Sequence, residues 1–171
     1  MPNRTASLPY RPCVGIALFN VDGLVWIGRR ADDPEDTEGP GNWWQMPQGG
    51  IDQGEDPQEA ALRELYEETS VSSVRVIGRT PGVIRYDLPE DLIGKSWRGR
   101  YRGQEQHWFA LRFDGDESEI NVVAPGGGAH ESEFSEWRWE RLENLPDLVV
   151  DFKRPVYDAV VKAFRDFSPG A

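Results

Sequence analysis

Short apolar runs alternate with turn residues along most of the chain. The run over residues 13–19 (CVGIALF) predicts a buried strand, and the run over residues 24–27 (LVWI) predicts its hairpin partner, because the residues between them favour a turn. Five further segments have the length and the β-branched or aromatic content of strands, and these are residues 43–48, 74–77, 82–87, 107–113 and 136–139. The pattern therefore predicts seven short strands that are distributed along the chain.

The first of two predicted helices begins next to residue 56. Asp56 can accept hydrogen bonds as the N-cap, and Pro57 suits the first helical position. We expect this helix to end at about Glu68 or Thr69. Four of its residues lie together on one face and are expected to pack inward, and these are Leu62, Leu65, Tyr66 and Thr69.

A second helix is predicted to open at Pro155. Apolar residues recur there at helical spacing and give the helix one apolar face, namely Val156, Val160, Phe164 and Phe167. Strands before, between and after two helices predict one mixed α+β domain over residues 1–171.

The other face of the first helix carries three carboxylates. Glu64, Glu67 and Glu68 are related as i, i+3 and i+4, so they lie side by side, where like charges repel. A positive partner is therefore expected. Clustered carboxylates without His or Cys suit hard cations such as Mg²⁺ or Mn²⁺, which leave coordination positions for phosphate oxygens. On these residues alone, a solvated acidic helix face remains the alternative.

The charge balance narrows the classes of partner. The chain of 171 residues has 19 Lys and Arg against 30 Asp and Glu, a net charge of −11. Broad binding to DNA or to anionic membranes relies on basic residues and is not expected. A small anionic substrate held through a metal remains compatible. Residues 31–42 contain five acids together with Pro and Gly, and they predict a loop.

The number of cysteines and the length of the apolar runs indicate the cellular compartment in which the protein is expected. Cys13 is the single cysteine, so the chain can form no internal disulfide and no Cys-rich zinc site. The longest apolar run, residues 14–19, is far shorter than the roughly 20 residues that span a bilayer. We expect a cytoplasmic protein in which Cys13 packs in a core strand.

Residues 49–71 carry a motif. The segment resembles the Nudix box, Gly-x5-Glu-x7-Arg-Glu-U-x-Glu-Glu-x-Gly-U, where U is aliphatic. The matching residues are Gly49, Glu55, Arg63, Glu64, Leu65, Glu67, Glu68 and Val71. Gly50 follows the first of them, where the backbone must turn tightly or approach another group closely. Ser70 stands where the pattern has a helix-ending Gly, at an expected modest cost.

The resemblance implies a Nudix hydrolase, an α/β/α sandwich in which the box helix and a C-terminal helix flank a mixed sheet. It implies divalent metal held by Glu64, Glu67 and Glu68, with attack of water on a phosphorus of a nucleoside diphosphate derivative. Arg63 is expected to orient the glutamates. Glu133 matches a further glutamate outside the box that binds metal or helps to activate water. The general base is Glu64 or Glu67, with Glu133 as a rival.

Segments outside the box indicate a branch of the family. They are similar to bacterial RNA pyrophosphohydrolases and to asymmetric diadenosine tetraphosphate hydrolases. The segments are residues 10–12 (YRP), 44–48 (WQMPQ), 85–89 (RYDLP), 101–104 (YRGQ), 108–110 (WFA), 137–139 (WRW) and 152–154 (FKR). The branch implies 5′-triphosphorylated RNA or nucleoside polyphosphates as substrates.

Carried over by position, four residues are expected to contact the substrate, and these are Arg11, Tyr86, Phe152 and Lys153. Aromatic faces can stack a base, and Lys or Arg pairs with phosphate. The basic stretch 95–102 (KSWRGRYR) adds Arg98, Arg100 and Arg102 as candidate contacts for RNA or polyphosphate. A non-catalytic nucleotide-binding module is the remaining alternative, and loss of box carboxylates would be its sign.

Overall fold

A computed structural model describes residues 7–31, 43–94 and 96–168. Within these residues the chain forms eight strands and two α-helices. In chain order they are β1 (Tyr10–Phe19), β2 (Val25–Arg30), β3 (Trp44–Gln45), β4 (Gln48–Gly50), α1 (Pro57–Thr69), β5 (Val74–Arg79), β6 (Ile84–Asp87), β7 (Gly103–Phe113), β8 (Phe134–Glu140) and α2 (Arg154–Phe164). The acidic stretch 32–38 and Lys95 lie outside the described residues.

β1 is the centre of a mixed sheet. It pairs in parallel with β7 along its full length, from Tyr10 opposite Gly103 to Phe19 opposite Arg112. It pairs antiparallel with β2 and β4 on its other side. β2 continues to β3 and β8, and β7 continues to β5 and β6. This register places Arg11 directly opposite Gln104.

The helices cover opposite faces of the sheet. Even-numbered residues of β1 such as Ile16 pack with α1, and odd-numbered ones such as Phe19 pack with α2, because successive strand side chains point to opposite faces. Leu65 of α1 and Val160 of α2 are both fully buried. The predicted α+β architecture, a mixed sheet between two helices, is confirmed.

The predicted strands differ from the observed ones in their bounds, and two of the differences affect the pocket. The predicted strand 43–48 is divided, since β3 covers Trp44–Gln45 and β4 begins only at Gln48, because Pro47 lacks an N–H and the chain leaves the ladder at Met46. The Met46 N–H donates instead to the Tyr157 hydroxyl of α2, at 2.8 Å. The predicted strand 107–113 begins earlier, at Gly103.

The predicted inward face of α1 is confirmed for Leu65 and Thr69, which are buried, and is wrong for the other two residues. Leu62 and Tyr66 are 37% and 42% exposed. The buried residues are Ala60, Ala61, Leu65, Glu68 and Thr69. Two small alanines let the helix approach the sheet closely, and the buried stripe therefore turns toward the face that carries Glu68. Among the described residues, neither helix combines the length and apolar character needed to cross a bilayer.

Candidate active site

The ends of α1 fix the position of its carboxylates. The Asp56 carboxylate accepts hydrogen bonds from the Gln58 and Glu59 N–H groups, at 3.0 and 3.3 Å. At the other end Ser70 adopts the left-handed conformation, with φ of 68°. Its hydroxyl donates to the Asn121 carbonyl and accepts from the Gly126 N–H, at 3.2 and 2.8 Å. The predicted extent of this helix is confirmed.

Arg63 joins the loop before α1 to the glutamates on the helix. Its Nε donates to Glu55 Oε2 at 2.9 Å, and its Nη1 donates to Glu64 Oε1 and Glu67 Oε2 at 2.9 and 3.1 Å. Its Nη2 donates to the Gly50 carbonyl at 2.9 Å. The bond from Arg63 lowers the pKa of Glu55 to about 2, and the burial of Glu55 opposes this only weakly. This guanidinium therefore holds several box residues at once.

A cavity of about 310 Å³ lies beside this cluster, and we call it the main pocket because residues of the box line it. It is lined by Arg11, Arg30, Gln45, Gln48, Gly49, Gly50, Glu64, Glu68, Trp97, Gln104 and Glu133. Glu64, Glu68 and Glu133 also line a neighbouring hollow of about 270 Å³, which Glu67, His130 and Glu131 complete. Glu64, Glu68 and Glu133 therefore stand between the main pocket and the hollow, and together with Glu67 we call them the carboxylate side of the pocket.

The two glycines of β4 leave room for two opposite charges. A Cβ on Gly49 would collide with the Glu64 carboxylate, and a Cβ on Gly50 would lie 2.5 Å from Arg11 Nη2. Successive strand residues face opposite sides of the sheet, so Gly49 admits an acid from the α1 side and Gly50 admits a base from the other. The Gly-Gly pair therefore brings Glu64 and Arg11 to one pocket.

Burial and mutual repulsion raise the pKa values of two glutamates on the carboxylate side. Burial, more than any other influence, raises the pKa of Glu64 to about 7, and Glu67 and Glu133 add to the rise against the opposing effect of Arg63. Burial also raises the pKa of Glu68 well above its usual range, with Glu133 and Glu64 contributing. The Gln48 backbone N–H donates to Glu68 Oε2 at 3.2 Å and acts in the opposite direction.

This donor set fits a hard divalent cation. Several carboxylates crowd together at the cost of raised pKa values, and a cation would relieve that repulsion. In the part of the chain described, no three acidic, His or Cys side chains already converge as a metal site. Arg63 holds Glu64 Oε1 and Glu67 Oε2, so a cation would be ligated through the other oxygen of each carboxylate. Gln45 is 2% exposed and its Oε1 has no partner among the described residues, so it can accept from a water.

Glu133 reaches the pocket from a different part of the chain. It directly precedes β8, and its carbonyl accepts a hydrogen bond from the Ala31 N–H at 3.0 Å, at the end of β2. That bond ties the start of β8 to the end of β2. The structure therefore brings the predicted glutamate outside the box to the same pocket as Glu64 and Glu68.

Of the four predicted substrate contacts, only Arg11 lines the main pocket. Tyr86 and Lys153 are 6% and 1% exposed. The Tyr86 and Phe152 rings lie 5.9 Å apart, and Lys153 Nζ lies 5.9 Å from the centre of the Tyr86 ring. These three residues pack with the α2 side of the core. Their contact with substrate stays a prediction, and for Lys153 it requires the side chain to emerge.

The arginines of the basic stretch differ in their surroundings, since two are exposed and one is paired with another residue of the protein. Arg98 and Arg100 are exposed. Arg102 pairs with Asp87 at 2.7 Å, and its guanidinium lies 4.9 Å from the centre of the Tyr10 ring. Arg102 is therefore already bound to a carboxylate of the protein. Its predicted contact with RNA would have to compete with the ion pair to Asp87.

Several pocket residues were not predicted, namely Arg30, Gln45, Gln48, Trp97 and Gln104. Trp97 lies within the basic stretch, and the Arg11 guanidinium carbon is 5.6 Å from the centre of its ring. Gln104 lies on β7 ahead of the predicted strand, and it is 4% exposed. The sequence did contain a signal for Gln104, because a polar residue at an inward-facing position of a strand indicates a binding site.

Comparison with known proteins agrees with this geometry. A NUDIX domain profile matches residues 9–160, and the chain belongs to the Nudix family. An RNA pyrophosphohydrolase of Azorhizobium caulinodans is 55% identical over 165 residues, which cover 96% of this chain and 98% of that protein. An RNA pyrophosphohydrolase of Rhodopseudomonas palustris is 59% identical over 168 residues, covering 98% and 95%. The solved binary complex of a C. elegans Ap4A hydrolase shares the fold, with a TM-score of 0.61 at 17% identity over 92% of this chain and 96% of that one. The predicted family and branch are confirmed.

Proposed function

We propose that this single-domain protein is a metal-dependent RNA pyrophosphohydrolase that removes pyrophosphate from the 5′-triphosphate end of RNA. The observation that carries the proposal is full-length similarity, at 55% and 59% identity, to proteins of that name. The pocket supports it, because carboxylates suited to a cation and an arginine suited to phosphate line one cavity. Such an enzyme acts in mRNA decay in the cytoplasm.

Glu64, Glu67, Glu68 and Glu133 would hold the cation, Mg²⁺ or in its place Mn²⁺. A bound divalent ion supplies charge that offsets the phosphates and makes a bound water more acidic. Arg63 orients Glu64 and Glu67 through its Nη1, and Glu55 holds the guanidinium from its other edge. Arg11 is placed to bind phosphate oxygens. Glu64 or Glu67 accepts the proton of the attacking water, and Glu133 is the rival base.

A dinucleoside polyphosphate is the second candidate substrate. The net charge of −11 weakens attraction to long RNA, and Arg102 already pairs with Asp87. A dinucleotide needs only the pocket itself. Its asymmetric cleavage would release ATP and AMP from diadenosine tetraphosphate.

The test compares both substrates with one preparation of protein and Mg²⁺. We expect faster turnover of 5′-triphosphorylated RNA, with pyrophosphate or two phosphates released. Faster release of ATP and AMP from diadenosine tetraphosphate would overturn the RNA assignment in favour of the second candidate. Turnover of neither substrate by a folded protein would support a non-catalytic module. Glu67→Gln serves as the inactive control.

A further inference from the structure

A chain of buried hydrogen bonds leads from the core to the main pocket. Gln104, Gln106 and Trp108 alternate along β7 and therefore share the face that packs with α2. They are 4%, 1% and 0% exposed. Trp108 Nε1 donates to Gln106 Oε1 at 2.9 Å. Gln106 Nε2 donates to Gln104 Oε1 at 2.7 Å and to Gln48 Oε1 at 3.3 Å.

The chemistry of the indole fixes the direction of this chain. An indole N–H can only donate, so the Gln106 carbonyl must turn toward Trp108. The Gln106 amide nitrogen then faces the other way, and each of its two hydrogens goes to a glutamine carbonyl. The carbonyl ends of Gln48 and Gln104 are thereby occupied. Their own amide nitrogens have no acceptor in the part of the chain described.

We propose that Trp108 and Gln106 are positioning residues that make Gln48 and Gln104 hydrogen-bond donors to an anionic oxygen in the main pocket. The inference rests on the proposed function, since it assigns the phosphate-binding side of that same site. Gln48 and Gln104 both line the pocket, as does Arg11, which lies opposite Gln104 in the β1–β7 register. Two neutral donors beside a guanidinium suit phosphate oxygens, which only accept.

The carboxylate side makes this orientation matter. Reversed amides would point carbonyl oxygens at the phosphates, in a pocket that already contains three glutamates. The donors would be replaced by repulsive acceptors, and a hydrogen bond to a charged group would be lost. Binding of the anion should therefore weaken, while the groups that surround the reacting phosphorus stay in place.

The test removes the indole N–H and compares the result with a matched variant. Trp108→Phe deletes the donor that orients Gln106. Trp26→Phe is the control, because Trp26 is equally buried and its Nε1 has no hydrogen-bond partner among the described residues. Both variants lose the same ring volume from the core. Gln106→Leu breaks the centre of the chain without adding charge, and it is the second variant if Trp108→Phe does not fold.

Two readouts separate this inference from the proposed function. The first is the dissociation constant for inorganic tripolyphosphate by calorimetry, and the second is the split between KM and kcat on 5′-triphosphorylated RNA. We expect both substitutions in the chain to raise the dissociation constant and KM by about tenfold, the size of one hydrogen bond to a charged group. We expect kcat within about twofold of the parent and no change of affinity in Trp26→Phe.

Equal tripolyphosphate affinity in Trp108→Phe, Gln106→Leu and Trp26→Phe would overturn the inference. A loss confined to kcat would also overturn it, because the chain would then act on the reaction rather than on anion binding. Failure of the proposed function would give a different result. The unsubstituted protein would then turn over no RNA, whatever its affinity for tripolyphosphate.

Discussion

The two sides of the main pocket are built in different ways. The carboxylate side comes mostly from one continuous segment, in which α1 and the loop before it are joined by Arg63. The opposite side, which we call the amide side, consists of Arg11, Gln48 and Gln104 and is assembled from β1, β4 and β7. One side depends on helical spacing within a segment, and the other depends on the register between strands.

The two sides also differ in charge. Buried carboxylates with raised pKa values suit a cation, whereas a guanidinium and oriented amides suit an anion. The difference indicates that the carboxylate side serves the reaction and that the amide side binds the substrate. Changes on the carboxylate side should alter the rate of the reaction, and changes on the amide side should alter the affinity for substrate.

The largest effect on the reaction rate is expected from a substitution on the carboxylate side, Glu67→Gln. The amide keeps the shape of the carboxylate but cannot hold a cation or accept a proton in the same way. We expect kcat to fall by about a thousandfold or more in Mg²⁺, with little change of KM. The measurement is steady-state hydrolysis of 5′-triphosphorylated RNA.

Glu59→Gln is the matched control, because Glu59 lies exposed in the first turn of the same helix. A Glu67→Gln protein with a near-normal rate would contradict the role given to the carboxylate side.

The next effect is a pH dependence of stability in the metal-free protein. The pKa of Glu64 rises from 4.5 to about 7 on folding, which corresponds to about 3 kcal/mol. Because the folded value is the higher one, this stability is fully present below pH 4.5 and is lost as pH rises through about 7. The melting temperature in EDTA should therefore fall between pH 5 and pH 8.

Glu64→Gln should reduce that fall, since the amide does not titrate, and Glu68, whose pKa is also raised, should account for the remainder. Mg²⁺ should reduce it as well, because bound cation stabilises the ionised carboxylates. A melting profile in EDTA that is level from pH 5 to pH 8 would show that Glu64 ionises freely in the fold.

A smaller effect is expected on the amide side, from Arg11→Ala. Loss of a charge-assisted hydrogen bond to phosphate should raise KM by about 10- to 100-fold, while kcat changes by less than about threefold. The comparison variant is Arg75→Ala, whose side chain is 67% exposed and pairs only loosely with Asp114 at 3.6 Å. If kcat rather than KM carried the loss, the proposed division between the two sides would be wrong.

The smallest effect concerns the end of α1. Ser70 has a left-handed backbone, which costs about 1 kcal/mol without glycine, and its hydroxyl forms two hydrogen bonds in return. Ser70→Gly should therefore leave the free energy of unfolding nearly unchanged. Ser70→Ala keeps the strained backbone and loses both bonds, so it should be less stable than the glycine variant by about 1 kcal/mol in urea unfolding. Equal stability of the two variants would indicate that the backbone is not strained.

The difference between a side built by helical spacing and a side built by strand register also explains which features could be predicted from the sequence. The extent of α1 and the clustering of its glutamates follow from local capping and helical spacing, and both were predictable. The burial of Glu68 in place of Tyr66 was not, because two alanines decide how the helix rolls on the sheet. Lys153 illustrates the limit further, since its burial depends on how the turn before α2 packs against β6. The amides of Gln48 and Gln104 acquire their direction through Gln106 from Trp108, which shares β7 with Gln104 but lies on a different strand from Gln48.

The parallel pairing of β1 with β7 has a consequence for the time course of folding. Arg11 and Gln104 meet directly in that register, although about ninety residues separate them along the chain. Contacts between distant segments must overcome a large loop-closure entropy, so proteins that depend on them fold slowly. Because the hydrogen bonds of α1 are local, we expect this helix to form before Arg11 and Gln104 meet. Tripolyphosphate binding during refolding should therefore appear after helix formation, and it would mark the arrival of the native state.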